Sequence, residues 1–248
     1  MSPFRTVLEQ TFGFVTSQGG RLVAAVSLPA LMVGALSLIP PSQGVKELGL
    51  VALSMVANAW LALATHRVAL LGDTHSLRWG RREWHFVVVY MLLHVGLVGL
   101  IIVLSLPIMG LQILIPALPD TLVGIATVGV ILFCGYQIAQ VSIILPATAI
   151  EQPLGIQHAH ALLTGKRGTA LTVFLLFPLL TYLPGYAMAH AELPMLRTIL
   201  PAVLLPIGNA IAVLALSFLF RLVVEAGPGG SPPSAGTSDH TDPPVKSA

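Results

Sequence analysis

Six side chains able to hydrogen-bond, Asn58, His66, His94, Gln137, Gln140 and Asn209, lie within or at the edge of stretches of sequence that are otherwise apolar. Taking such groups out of water costs free energy unless they find partners, so each is a candidate for function. Gln137 and Gln140 are three apart and project from one helical face, where they can hydrogen-bond across a helix bundle. Amide pairs of this kind more often serve packing than chemistry. Asn209 follows Pro206 and Gly208, a grouping that either kinks a helix around a satisfied amide or opens it to expose backbone carbonyls. His66 and His94 fall at similar depths in successive apolar segments. Facing each other they could ligate a haem, although histidines near a membrane interface ordinarily just hydrogen-bond. His158 and His160, two apart, diverge by about 200° on a helix and offer no metal site.

Other chemistry finds no motif to carry it. The zinc-protease pattern of two histidines four apart is missing, as are a serine elbow and a phosphate-cradling glycine loop. Mg²⁺-dependent lipid transfer needs clustered carboxylates, and Asp73 and Glu83 are the only acids sharing one segment near the basic face. The expectation is a non-catalytic protein with no metal or other cofactor.

The elements that must hold these residues are set by composition. Of 248 residues 55% are hydrophobic and only 9% charged, against roughly 25% charged in soluble domains. The chain therefore reads as an all-α, polytopic membrane helix bundle, and nucleic-acid binding gains no support from a net charge of +2. The single cysteine, Cys134, permits no disulfide within the chain.

A helix needs about 20 apolar residues to cross roughly 30 Å of hydrocarbon. Six segments qualify, near residues 22–39, 48–71, 86–106, 121–145, 169–188 and 198–224. The first is expected to act as an uncleaved anchor. All but two of the Lys and Arg residues then fall on one side: Arg5 and Arg21, then Arg67, Arg78, Arg81 and Arg82, then Lys166 and Arg167, then Arg221 and Lys246. Only Lys46 and Arg197 lie opposite. Cationic loops are retained on the cytoplasmic side, so both termini are expected there.

Three segments read as amphipathic helices at the cytoplasmic interface: one from Phe4 with Val7, Leu8, Phe12 and Val15 on one face, one over 73–85 and one over 154–166. The second carries a basic and aromatic cluster, Arg78, Trp79, Arg81, Arg82 and Trp84, just beyond Arg67. Such a cluster can bind anionic headgroups or dock a partner. More often it is a topology signal with an aromatic anchor. On the opposite side 106–119, with Pro107, Pro116 and Pro119, reads as a surface loop or shallow dip. The Gly-, Pro- and Ser-rich tail from 226 reads as disordered. Thr16-Ser17-Gln18-Gly19-Gly20 before a span with Pro29 is echoed by Thr164-Gly165-Lys166-Arg167-Gly168 before one with Pro178, a faint sign of repeated halves.

The run His66-Arg67-Val68-Ala69-Leu70-Leu71-Gly72-Asp73, with Arg81-Arg82-Glu83-Trp84 beyond it, resembles a segment of six-helix inner-membrane proteins of bacteria. So do Leu145-Pro146-Ala147-Thr148-Ala149, Pro153-Leu154 and Thr164-Gly165-Lys166. Those proteins are similar to the membrane domain joined to some glycerophosphoryl diester phosphodiesterases. The resemblance implies a six-helix bundle in a bacterial inner membrane and no activity, because the diesterase catalytic domain has no counterpart here. Many of those proteins place an arginine where this chain has the uncharged Gln137–Gln140 stretch, which argues against ion coupling.

The reading that follows is a non-catalytic membrane protein that binds lipid or serves as an accessory or scaffold subunit of a larger membrane complex, with membrane lipids and other integral membrane subunits as partners. The first alternative is a transporter or exporter of a small or amphipathic solute, its path lined by Asn58, His94, Gln137, Gln140 and Asn209. The second is an intramembrane haem protein. A polar cavity at mid-depth favours transport over a dry, tightly packed scaffold.

Overall fold

The computed structural model describes residues 2–39, 45–74, 79–115, 119–152, 154–175, 179 and 194–226. Every regular element among them is a helix: α1 (Pro3–Ser37), α2 (Val45–Leu71), α3 (Arg81–Leu114), α4 (Asp120–Val141), α5 (Ile144–Ala149), α6 (Ile156–Leu162), α7 (167–175) and α8 (Pro194–Glu225). Among the described residues five helical stretches are long and apolar enough to cross a membrane, in α1, α2, α3, α8 and the α4–α5 stretch taken together. The fold is therefore that of a helical, multi-pass membrane protein.

Local sequence explains where the helices begin and end. The Ser2 side chain accepts from the Arg5 backbone N–H and Pro3 follows it, a favourable start for α1. α2 stops at Gly72, whose φ of +69° only glycine adopts cheaply, and its N–H returns to the Val68 carbonyl. Gly165, at φ +80°, makes the equivalent turn between α6 and α7. Glu83 reaches back to the Gly80 N–H at 2.7 Å and caps the first turn of α3. Within the apolar helices hydroxyls fold onto their own backbone, as Thr11 does to Val7 and Thr65 to Leu61. That bond satisfies a polar group where water is scarce.

α1, α2 and α8 form the centre, packed through Ala57, Leu61, Ala64, Leu214, Ala215 and Leu219. Small residues let these backbones approach closely, the usual basis of helix association in lipid. In its most apolar stretch α8 is 61% buried, whereas α3 is 11% buried and shows Leu92, Val95, Val98 and Ile102 outward. α8 is thus the axis, and α3 with α4 the wall.

Asn58 and His66 on α2 meet Asn209 and Ser217 on α8, and both pairs are 151 positions apart. A constant difference means that the two helices run in the same direction and in register; antiparallel helices would give a constant sum. The register places the interior polar groups of α2 against those of α8.

Several expectations need correction. α3 does not stop at Leu106 but continues through Pro107 to Leu114, so 106–114 is no loop. A proline removes one helical hydrogen bond, and the mostly apolar run on both sides outweighs that loss. The 73–85 segment is not a separate interfacial helix, since Gly72–Thr74 is non-helical and Arg81–His85 forms the opening turns of α3. The first amphipathic segment merges into α1, broken only at Gln18 (φ −126°, ψ 19°). Its inward face is Val7, Thr11 and Phe14, the last against Phe218, while Phe12 is exposed. The span expected at 121–145 lies within the α4–α5 stretch Asp120–Ala149, where only Ser142 and Ile143, both still in right-handed helical conformation, interrupt the regular helix. α6 matches the third interfacial segment in part. Most of the expected fifth span, the tail beyond 226 and Arg78 lie outside the described residues.

Candidate functional site

Helical spacing builds the site. On α2, Glu47, Leu50, Ser54, Asn58, Ala62 and His66 recur every three or four residues and so occupy one face. Tyr90 and His94 do the same on α3, and Leu205, Asn209, Ala212 and Leu216 on α8. Between these faces, closed further by Ser142 and Phe174, lies a cavity of about 700 Å³. That size falls within the roughly 300–1,000 Å³ typical of small-molecule sites, as does a mostly apolar lining with a few polar groups.

Two short relays cross between α2 and α8 in opposite senses. Asn209 Nδ2 donates to Asn58 Oδ1 at 2.7 Å, and Asn58 Nδ2 donates to the Ser54 carbonyl at 2.8 Å. His66 Nδ1 lies 2.7 Å from Ser217 Oγ, and the Ser217 hydroxyl donates to the Val213 carbonyl at 2.9 Å. With the His66 proton on Nδ1 both bonds of the second relay form, while the other tautomer allows only one. The imidazole is therefore assigned as the Nδ1–H form, donating to Ser217. Each relay leaves one atom over. His66 Nε2 and Asn209 Oδ1 are buried and have no hydrogen-bond partner among the described residues. Both are acceptors, and His66 is fully buried.

An aromatic ladder borders the cavity. His66 meets the Phe86 ring edge-on at 6.0 Å between centroids, Phe86 stacks on Tyr90 at 6.3 Å, and Tyr90 on His94 at 4.1 Å. His94 Nδ1–H donates to the Tyr90 carbonyl at 2.8 Å. The two histidines thus face one cavity, with two aromatic rings between them in the ladder. Among the described residues no group of three or more His, Cys, Asp or Glu side chains could hold a metal ion.

Gln137 and Gln140 take no part. Gln140 Nε2 donates to Gln137 Oε1 at 3.0 Å, so they bond to each other rather than across the bundle, and neither lines the cavity. Nor does Asn209 sit in a broken helix, because α8 is continuous past Pro201 and Pro206.

At the end of α2, Arg67 donates to Glu83 at 2.8 Å and to the Ala149 carbonyl at 3.4 Å, tying α2, α3 and α5 together. Both side chains are largely buried, at 14% and 10% exposure. Trp79 stands against Trp60 and Trp84, with centroids 5.7 and 5.2 Å away. Arg81 is exposed, and Arg82 pairs with Glu151 at 2.7 Å in the open. The basic and aromatic cluster is therefore partly a clasp on the bundle, with Arg81, Arg82 and Trp84 left at the surface. Sequence inspection missed Ser54, Tyr90 and Ser217. For Ser217 a signal existed, since it stands as far from His66 as Asn209 does from Asn58.

Comparison with protein-family models, with curated proteins and with solved structures finds no match for this chain. The functional reading rests on the site's own chemistry.

Proposed function

We propose that this chain is a non-catalytic integral membrane protein that binds a small amphipathic molecule or lipid in the cavity between α2, α3 and α8. The observation that carries the reading is a cavity of about 700 Å³ whose mostly apolar lining bears Ser54, Asn58, Tyr90, His94 and Asn209. A dry, tightly packed scaffold leaves no space of that size between its helices. Transport of the bound molecule is the second reading, favoured by Asn58, His94 and Asn209 sharing one cavity.

The proposal includes six crossings with both termini cytoplasmic, in a bacterial inner membrane. The parallel course of α2 and α8 supports this count, because two helices pointing the same way need an odd number of crossings between them. α3 and α4 supply two, and α7 begins a third. The offset of 151 also pairs like with like: Leu53 with Leu204, Asn58 with Asn209, Ala59 with Ala210, Leu63 with Leu214, Ala64 with Ala215. That correspondence supports an internal repeat in which α2 and α8 are equivalent.

The test is purification in lipid nanodiscs followed by mass spectrometry of what stays bound. A stoichiometric lipid or amphiphile, lost when Ala62 at the cavity wall is changed to Phe, supports the reading. Retention of nothing beyond bulk lipid, or the same molecules in the filled variant, defeats it.

A further inference from the structure

Resting on the cavity reading above, we infer that the cavity takes one unbranched hydrocarbon chain, lying lengthwise with its polar end beside Glu47. Shape carries the inference. From Glu47 to His66 the lining follows about 28 Å of α2. α3 and α8 accompany it, Leu97 to Tyr90 descending one wall and Leu205 to Leu216 another. A volume of about 700 Å³ spread over about 28 Å averages about 25 Å² in cross-section. That is the girth of a single extended polymethylene chain. Two chains side by side, or a fused-ring system, would be too wide.

The polar side chains of the lining are spent largely on the protein itself. Asn58 accepts from Asn209 and donates to the Ser54 carbonyl, and His94 donates to the Tyr90 carbonyl and stacks on its ring. His66 is fully buried and bonded to Ser217. An occupant therefore meets mainly apolar side chains such as Leu36, Leu50, Met55, Leu93, Leu205 and Leu216. Water there finds few partners, and an empty apolar space forfeits the dispersion contacts of its walls. In a bilayer the hydrophobic effect does not choose between lipid and an apolar cavity, so selection falls to fit. The two ends of the cavity differ. Ile39, Glu47 and Val51 are exposed, whereas His66, Ser142 and Leu145 are buried. A carboxylate belongs at the boundary of water and lipid, so the head group lies at the Glu47 end and the chain tip points toward His66.

The test uses the full chain in phosphatidylcholine nanodiscs with two photoactivatable hexadecanoyl lysophosphatidylcholines, one carrying a diazirine near the head group and one near the chain tip. Crosslinks are mapped by mass spectrometry. The near-head label should map around Leu50 and Val51, and the tip label around Ala62 and Val213. Unlabelled competitors are the straight hexadecanoyl compound and its methyl-branched phytanoyl counterpart, each corrected for partition into empty nanodiscs. The straight chain should displace the label at roughly tenfold lower concentration, because branches overfill the cavity. A phosphatidylcholine with a tip diazirine on one chain identifies the source. Crosslinks from it around Ala62 and Val213 mean that a bilayer lipid lends one of its chains, and crosslinks from the lyso compounds alone mean a single-chain amphiphile. Either result supports the inference. If the two lyso labels map to the same residues, or the branched chain competes as well as the straight one, the single-chain inference falls and the cavity reading survives. If no label reaches the lining, the cavity reading falls as well.

Discussion

Arg67 and Glu83 form a nearly buried ion pair, 2.8 Å apart, that joins the end of α2 to the start of α3. Glu83 also caps α3 through Gly80, so one carboxylate fixes both the position and the first turn of the helix. Removing one partner of such a pair leaves an uncompensated charge and costs about 3–5 kcal/mol. We expect Arg67→Gln and Glu83→Gln each to lower thermal stability by that order. Arg67→Met with Glu83→Met should lose much less than the two singles combined. Cys134 is the only cysteine and is buried, so its reaction with a thiol dye during heating reports unfolding directly.

The Asn58–Asn209 bond predicts coupling between α2 and α8. In membrane bundles interhelical side-chain hydrogen bonds average about 0.6 kcal/mol, with an upper range near 1.7. A double-mutant cycle with Asn58→Leu and Asn209→Leu, followed by unfolding in detergent, should return a value in that range. A coupling of zero would mean that the two amides do not meet.

Gly34 on α1 predicts a steric limit. A Cβ built there would stand 2.8 Å from the Ala202 carbonyl oxygen on α8. The same carbonyl loses its usual partner four residues on, because Pro206 has no N–H. α1 therefore comes close where α8 has a carbonyl without its helical bond. Gly34→Ala should destabilise by about 1–3 kcal/mol and Gly34→Val by more, from overpacking. Gly96→Ala, with nothing near its would-be Cβ, should be tolerated and serves as the control.

Topology can be checked by labelling. In a Cys134→Ser background, cysteines placed at Ser2 and at Ala226 should react with an impermeant reagent from the same side of sealed vesicles. A cysteine at Lys46 should react only from the other. Opposite labelling of Ser2 and Ala226 would remove the six-crossing proposal.

Much of this architecture was legible because lipid imposes a simple rule: long apolar runs become helices whatever their detail. The same rule hid the exceptions. Pro107 reads as a stop, yet α3 has apolar sequence on both sides and runs on to Leu114. The site was harder. Asn58, His66, His94 and Asn209 stand out as polar residues among apolar neighbours, but which of them meet depends on how α2 is set against α8, and no periodicity within one helix encodes that. Gln137 and Gln140 show the converse, standing out equally and satisfying only each other.

The Arg67–Glu83–Ala149 tie has one more consequence. His66 and Arg67 are neighbours on α2, so the turn of helix that bonds to Ser217 on α8 also carries a knot of charge and backbone reaching α3 and α5. Left tied, the knot holds the first turn of α3 against the end of α2 beside His66. Loosening it by mutation would free the corner of the bundle where α2, α3 and α5 meet.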